Sequence, residues 1–159
     1  MEHEQPTLSI LVPAYNEERT IYSLLERLAQ VTLVGGVKKQ IIVVNDASAD
    51  GTESVIFRFK NDHPDLDLVY AAHEKNKGKG AALHTGISSA TGDFIVVQDA
   101  DLEYDPEEFN LLLQPLLNDR ADVVYGSRFM GGKTHRILFF WHSIGNKFLT
   151  FLSNMFTNL

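Results

Sequence analysis

The chain has 159 residues, of which 44% are hydrophobic and none is cysteine. This size and composition fit one domain with a sizeable core, and the lack of cysteine excludes disulfides and thiolate metal sites. Residues 1–7 are polar, unlike a secretory signal, and no apolar run approaches the roughly 20 residues that span a bilayer, so a cytoplasmic location is expected.

The net charge of −7 is unevenly distributed along the chain. No acidic residue follows Asp122, and the four later bases give the remainder +4, which leaves −11 on residues 1–122. Such a split suggests different partners for the two parts. The basic part is a candidate for contact with a phosphate or an anionic membrane surface, and no nucleic-acid partner is expected.

Strand-like runs alternate with helical patterns along the chain. The five predicted strands are Leu8–Val12, Ile41–Val44, Leu66–Tyr70, Phe94–Val97 and Ala121–Tyr125. The predicted helices between them cover about residues 17–31, 51–61, 79–90 and 105–118. Because alternating strands and helices form βαβ units, we expect an α/β fold with a mostly parallel sheet flanked by helices.

Capping residues mark where three of these helices begin. Asn16 can cap the first helix, and Asp50 with Glu53 resembles a capping box before the second. Asp105 followed by Pro106 is typical of a helix start. Asp50 and Asp105 are therefore predicted to be structural residues rather than ligands.

Residues 134–159 differ from the rest of the chain. Apolar and aromatic residues, including Trp141, Phe148 and Phe151, recur there at helical spacing, and every charge is positive. The pattern predicts an amphipathic helix, which could pack on the sheet, form a dimer interface or lie on a membrane surface. We therefore divide the chain into residues 1–133 and this C-terminal helix.

The loops after the first, second, fourth and fifth predicted strands are polar. In a parallel sheet they should meet at one edge, where ligands bind in open α/β folds. Asp99 and Asp101 follow the apolar run Phe94–Val97 directly, and such hard oxygen ligands suit Mg²⁺ or Mn²⁺ beside a phosphate. The alternative is that the carboxylates cap nearby amides, and for Asp46 it is an Asx-turn.

Five loop motifs occur in order along the chain: PAYNEE (13–18), VNDASADGT (44–52), NKGKGAAL (76–83), QDADLEYDPEEF (98–109) and YGSRF (125–129). In this combination the chain resembles the family 2 glycosyltransferases of the GT-A (Rossmann-like) fold. Within them it is most similar to the dolichyl-phosphate or polyprenyl-phosphate mannosyltransferase and glucosyltransferase branch. The resemblance covers residues 8–159.

The resemblance implies a pocket for a nucleotide sugar. Pro13, Tyr15 and Glu17 would contact the base and ribose. Val44 and Asp46 would complete the pocket, with Asp46 accepting a hydrogen bond from the base. Lys79, in the glycine-rich motif, would serve a tight helix entry or approach the donor phosphate.

The resemblance also implies a metal and phosphate centre. Asp99, Asp101 and Glu103 would hold Mg²⁺ or Mn²⁺ against the donor diphosphate, and Ala100 would lie beside the ribose. Glu103 stands where the mannosyl branch often has Gln, so the ligand charge differs. Asp101 and Arg128 are the expected catalytic residues, with Arg128 pairing with a donor or acceptor phosphate.

The implied activity is inverting transfer of a hexose, mannose first and glucose next, from GDP-mannose or a UDP-sugar to a polyprenyl phosphate. That acceptor is already an anion, so a general base is unnecessary. Residues 134–159 would contact the cytoplasmic membrane face or promote self-association. The alternative is a shortened, inactive nucleotide-sugar-binding or scaffolding domain. A receiver domain or a sugar nucleotidyltransferase fits worse, because Pro13-Ala14-Tyr15 is neither an acidic pair nor a glycine-rich loop.

Overall fold

A computed structural model describes residues 5–126 of the chain. Its strands are β1 (Thr7–Ala14), β2 (Lys38–Asn45), β3 (Leu68–Ala72) and β4 (Phe94–Val97). Its α-helices are α1 (Ile21–Gln30), α2 (Thr52–Asp62), α3 (Lys79–Ser89) and α4 (Phe109–Leu117), with short 3₁₀ turns at Val34–Gly36 and Pro106–Glu108. The four strands form one parallel sheet in the order β3-β2-β1-β4.

The two central strands, β1 and β2, are apolar on both faces because helices cover the sheet from both sides. Ile10 and Val12 of β1 belong to a core cluster that includes Leu24 of α1 and Phe59 of α2. Leu11, which points the other way, belongs to a second cluster with residues of β2 and α3. Continuous apolar runs are typical of strands buried in this manner. The predicted sheet flanked by helices is confirmed.

The predicted fifth strand, Ala121–Tyr125, is wrong for the part of the chain that the structure describes. These residues have no strand conformation, although the β-branched and aromatic run Val123-Val124-Tyr125 favours one. Val123 and Tyr125 are 65% and 89% exposed, so this run does not form a buried face there. A strand also needs a pairing partner, which local sequence cannot supply.

Three helix starts can be compared with their predictions. Asp105 caps the turn before α4 by accepting from the Glu107 amide at 3.2 Å, as predicted. Asp50 accepts from the Thr52 amide at 3.0 Å, but the N-cap of α2 is Gly51, and Glu53 accepts from the Tyr70 hydroxyl instead of completing a capping box. Asn16 does not cap α1, because that helix begins only at Ile21. Its side chain instead accepts from the Ala49 amide.

Several predictions lie outside residues 5–126. These are the amphipathic helix of residues 134–159, the boundary after residue 133 and the role of Arg128. Of the helices that the structure describes, none has the length and apolar character needed to cross a membrane.

Lys39 stabilises the end of α1. Its ammonium group donates to the carbonyl oxygens of Leu28, Ala29 and Val31 at 2.9, 2.7 and 2.7 Å. Partial burial lowers the pKa of Lys39 from its usual range. The side chain thus satisfies carbonyls that a helix end leaves without intrahelical partners.

Replacing Lys39 with methionine is expected to lower the free energy of unfolding by about 1–2 kcal/mol, because three carbonyl groups lose a charged donor. Urea unfolding would measure the loss. The matched control is Lys38→Met at the neighbouring exposed position, which should change stability by less than about 0.5 kcal/mol. Equal losses in both variants would contradict this role for Lys39.

Candidate active site

A cavity of about 380 Å³ opens at the carboxyl ends of β1, β2 and β4. Loops that are distant in sequence meet there because parallel strands end at the same edge. Its lining residues are Pro13, Ala14, Tyr15, Glu17, Asp46, Asn76, Gly78, Lys79, Ala82, Asp99, Ala100 and Asp101. The structure therefore brings together eight of the residues singled out in the sequence, Lys79 among them.

Three predicted site residues are not on this wall in the part of the chain that the structure describes. Val44 is 1% exposed and belongs to the core cluster with Leu11 and Ala82. Glu103 does not line the cavity, and Arg128 lies beyond the described residues. Asn76, which lines the cavity, was not predicted, although its NKGKG motif was the available signal.

Hydrogen bonds join the loop after β1 to the loop after β2. The Asn16 amide donates to Ser48 Oγ at 2.9 Å, and the Ala49 amide donates back to Asn16 Oδ1 at 2.8 Å. The Glu17 amide donates to Thr52 Oγ1 at 2.8 Å. Asn16 has a φ of 56°, a left-handed conformation that asparagine tolerates better than most residues. The exchange fixes the backbone on both sides of Asn16.

Asp46 is buried, with 3% of its surface exposed. Its Oδ1 accepts from His73 Nδ1 at 2.6 Å and from the Lys77 amide at 2.9 Å, and its Oδ2 accepts from the Gly78 amide at 2.7 Å. Burial alone would raise the pKa of Asp46, but these hydrogen bonds outweigh it and hold the pKa below the usual range. The group is therefore an ionised acceptor at neutral pH.

A carboxylate offers about four lone-pair positions. The described residues occupy both positions on Asp46 Oδ1 and one on Oδ2. One position on Oδ2 therefore remains on a residue that lines the cavity. This acceptor is compatible with a donor group from a bound nucleotide base.

Asp99 and Asp101 form the other wall of the cavity. Lys79 Nζ lies 2.6 Å from Asp99 Oδ1, and Asp101 Oδ1 accepts from the Glu103 amide at 3.0 Å. The Lys79 side chain is 58% exposed and that of Asp99 is 28% exposed. The sequence predicts either a tight helix entry or a phosphate contact at Lys79. The ion pair with Asp99 places its charge at the cavity.

Glu103 does not join the two aspartates in a ligand cluster. Within residues 5–126, no group of three or more His, Asp or Glu side chains is placed to hold one metal ion. Leu102 has a φ of 63°, which turns the chain between Asp101 and Glu103. The predicted set of Asp99, Asp101 and Glu103 is therefore not brought together among the described residues, and metal binding by Asp99 and Asp101 stays a prediction. Two carboxylates still fit Mg²⁺ or Mn²⁺ when phosphate and water supply the other oxygens.

The sequence matches a known family over most of its length. Residues 9–153 match the model of Glycosyl transferase family 2. The chain is 29% identical to the UDP-N-acetylglucosamine–dolichyl-phosphate N-acetylglucosaminyltransferase of Methanococcus voltae, over 91% of this chain and 61% of that protein. It is 31% identical to the dolichol-phosphate mannosyltransferase of Pyrococcus furiosus, over 84% of this chain and 36% of that protein. The chain thus spans only part of the length of these curated relatives.

A solved structure is similar to the fold described above. The mannosyltransferase PcManGT from Pyrobaculum calidifontis, in complex with GDP-Man and Mn²⁺, aligns with a TM-score of 0.58 and 33% sequence identity. The alignment covers 67% of this chain and 30% of that one. It confirms the predicted GT-A fold.

Proposed function

Because this chain belongs to Glycosyl transferase family 2, we propose that its cavity binds a nucleotide sugar as the donor of an inverting hexosyl transfer to a polyprenyl phosphate. The observation that carries the proposal is that two groups of side chains with different chemistry line the same cavity, each on its own wall. One wall offers Tyr15 and the ionised acceptor Asp46, and the other offers Lys79, Asp99 and Asp101.

The first wall suits a base and a ribose. Tyr15 is 49% exposed, so its ring is available for contact with a ligand. Asp46 retains one acceptor position on Oδ2, and Pro13 and Glu17 complete this side. Because Asp46 is ionised, a base that donates a second hydrogen bond to Oδ2 gains a charge-assisted contact, and therefore affinity, over a base that cannot donate there.

The second wall suits a diphosphate. Asp99 and Asp101 would hold Mg²⁺ or Mn²⁺, and Lys79 brings a positive charge within 2.6 Å of Asp99. A bound divalent ion neutralises the charge that develops on the leaving diphosphate. Lys79 can bind a phosphate oxygen directly, since its exposed ammonium group can leave Asp99 without losing solvation. Arg128 is proposed as a further phosphate ligand.

The proposed acceptor is a polyprenyl phosphate, and the proposed donor is GDP-mannose or a UDP-sugar. The named activities of the Methanococcus and Pyrococcus relatives support a dolichyl-type acceptor, and the GDP-Man complex of the solved neighbour supports mannose as the first donor to test. A lipid acceptor would place the protein at the cytoplasmic membrane face, with residues 134–159 as the contacting or self-associating segment. Flotation with anionic vesicles tests that placement.

A thermal-shift experiment tests donor binding. We expect GDP or UDP to raise the melting temperature only when Mg²⁺ or Mn²⁺ is present, and we expect Asp101→Ala to abolish the rise. Asp65→Ala is the control, because Asp65 is exposed and precedes β3 at the opposite edge of the sheet. An undiminished shift in Asp101→Ala would refute the metal assignment. Nucleotide binding without sugar transfer to a polyprenyl phosphate would favour the inactive binding domain instead.

A further inference from the structure

We propose that His73 is a positioning residue for the donor cavity: it holds Asp46 and α3 in one arrangement, and thereby places both the free acceptor of Asp46 and the ammonium group of Lys79. This inference rests on the proposed nucleotide-sugar site. It adds a residue that lies behind the cavity wall and that no sequence motif singled out.

His73 follows β3 directly and is almost completely buried, with 6% of its side chain exposed. Its amide donates to the Asn45 carbonyl at 2.9 Å, which extends the pairing of β3 with β2 by one residue. The backbone of His73 is thus fixed by the sheet. Its imidazole ring is held at both nitrogens, by Asp46 at 2.6 Å and by Thr85 Oγ1 at 2.8 Å.

These contacts tie α3 to the sheet at two points. Near its start, the amides of Lys77 and Gly78 donate to Asp46. About two turns later, Thr85 contacts His73 Nε2. These two attachments add polar contacts to the apolar packing of Ala82 on Leu11, and together they fix the position and the rotation of the helix. Lys79 is the first residue of α3 and lies between these two attachments, which therefore also fix the position of its backbone.

The same ring fixes the carboxylate of Asp46. His73 Nδ1 and the Lys77 amide share Oδ1, which leaves the remaining lone pair on Oδ2. Because the ionised carboxylate accepts only, Nδ1 carries a proton and Thr85 contacts the other nitrogen. Without His73, the carboxylate would be held by the Lys77 and Gly78 amides alone, so its plane could tilt and move the remaining acceptor position on Oδ2. For side chains that bind metal ions, removing such an orienting partner typically costs about 10- to 100-fold in affinity, and we expect the lower end of that range here.

Two amide substitutions separate positioning from packing. In His73→Asn, the amide nitrogen can occupy the place of Nδ1 and donate to Asp46, whereas in His73→Gln it reaches the place of Nε2. We expect His73→Gln to weaken GDP or UDP binding by about tenfold in calorimetric titration with Mn²⁺. We expect His73→Asn to stay within about threefold of the unmodified chain, although it loses the Thr85 contact.

Thermal unfolding of the same variants provides the second readout. If His73 has a purely structural role, the affinity for GDP or UDP should fall in step with the melting temperature. The less stable of the two amide variants should then also be the weaker binder. Positioning predicts that Asn and Gln variants of similar melting temperature differ in affinity. Thr85→Val keeps the shape of Thr85 but removes its hydroxyl group, and it replaces His73→Gln in the comparison if that variant does not fold. We then expect Thr85→Val to weaken nucleotide binding by about threefold.

His63→Gln is the matched control, because His63 contacts Glu26 on the surface of α1 and α2 and should leave affinity unchanged. Equal affinity of the His73→Asn and His73→Gln variants, or an unchanged affinity in Thr85→Val where that variant carries the test, would overturn the role of His73. If the unmodified chain binds neither GDP nor UDP, the proposed function fails and this inference fails with it. Binding that is intact in the unmodified chain and insensitive to His73 refutes the inference alone.

Discussion

Replacing Asp46 with alanine is expected to lower the free energy of unfolding by about 3–5 kcal/mol, the loss that follows when one member of a buried charged network is removed. The imidazole of His73 and the amides of Lys77 and Gly78 would lose their acceptor in a site with 3% exposure. Urea unfolding at pH 7 measures the loss. Asp46→Asn is the matched control, since an amide oxygen can still accept from the backbone, and it should lose less.

The contribution of Asp46 should also depend on pH. Its pKa in the folded chain lies below the ordinary value of 3.8, so the unfolded chain binds the proton more readily. The stability that Asp46 supplies is therefore present above pH 3.8 and is lost as the pH falls below it. The difference between the unmodified chain and Asp46→Ala should shrink in that range. Asp50, whose pKa is also lowered, affects both chains equally. A difference that does not change with pH would contradict the assignment.

The second large effect is expected at Gly92, just before β4. A Cβ atom there would lie 2.6 Å from the Thr7 carbonyl oxygen and 2.7 Å from Ser9 Oγ. The first of these is backbone of a central strand and cannot move without disturbing the sheet. Gly92→Ala should therefore lower the free energy of unfolding by about 3 kcal/mol, at the upper end of overpacking effects.

The clash at Gly92 would also disrupt a buried polar network. Ser9 Oγ accepts from the Gly92 amide at 3.0 Å and donates to Gln40 at 2.7 Å, and Gln40 in turn contacts Thr91. The matched control is Gly80→Ala in α3, where no described atom lies within 4 Å of the added carbon. That change should stabilise the helix by about 0.5–1 kcal/mol. Urea unfolding of both variants decides the matter, and a loss below about 1 kcal/mol at Gly92 would contradict the packing argument.

Local sequence patterns were sufficient for the framework of the fold. The apolar runs of β1 and β2 were recognisable because strands buried on both faces need no polar alternation. The run of β4 was recognised from its apolar residues alone, although Ile95 and Val97 are 48% and 46% exposed. Asp105 was recognised as a cap because its bond reaches only two residues along the chain. The bond of Asp50 to the Thr52 amide is equally local, although Gly51 is the N-cap of that helix. The convergence of Asp46, Asp99 and Asp101 followed from parallel topology alone.

Features that depend on long-range contacts could not be predicted in the same way. Nothing near Asn16 indicates that it would bond to Ala49 rather than begin a helix. Two contacts at the cavity join segments that are distant in sequence. Lys79 pairs with Asp99, and His73 contacts Asp46. The family resemblance implied that Glu103 joins Asp101 as a metal ligand, but Glu103 does not line the cavity, and no three-ligand group occurs among the described residues. The predicted fifth strand is wrong because the local run of apolar residues cannot reveal whether a pairing partner is present.

The two walls of the cavity are connected to β1 through chain segments of very different length. On the Asp46 side, contacts between β1 and β2 such as Ser9 with Gln40 span 31 residues. On the Asp99 side, contacts near β4 such as Thr7 with Asp93 span 86 residues. Closing the longer segment costs about 1 kcal/mol more chain entropy, and pairing across long separations is slow. During folding, the Asp46 wall can form early from nearby segments, whereas the Asp99 wall must wait for β4 to join the sheet.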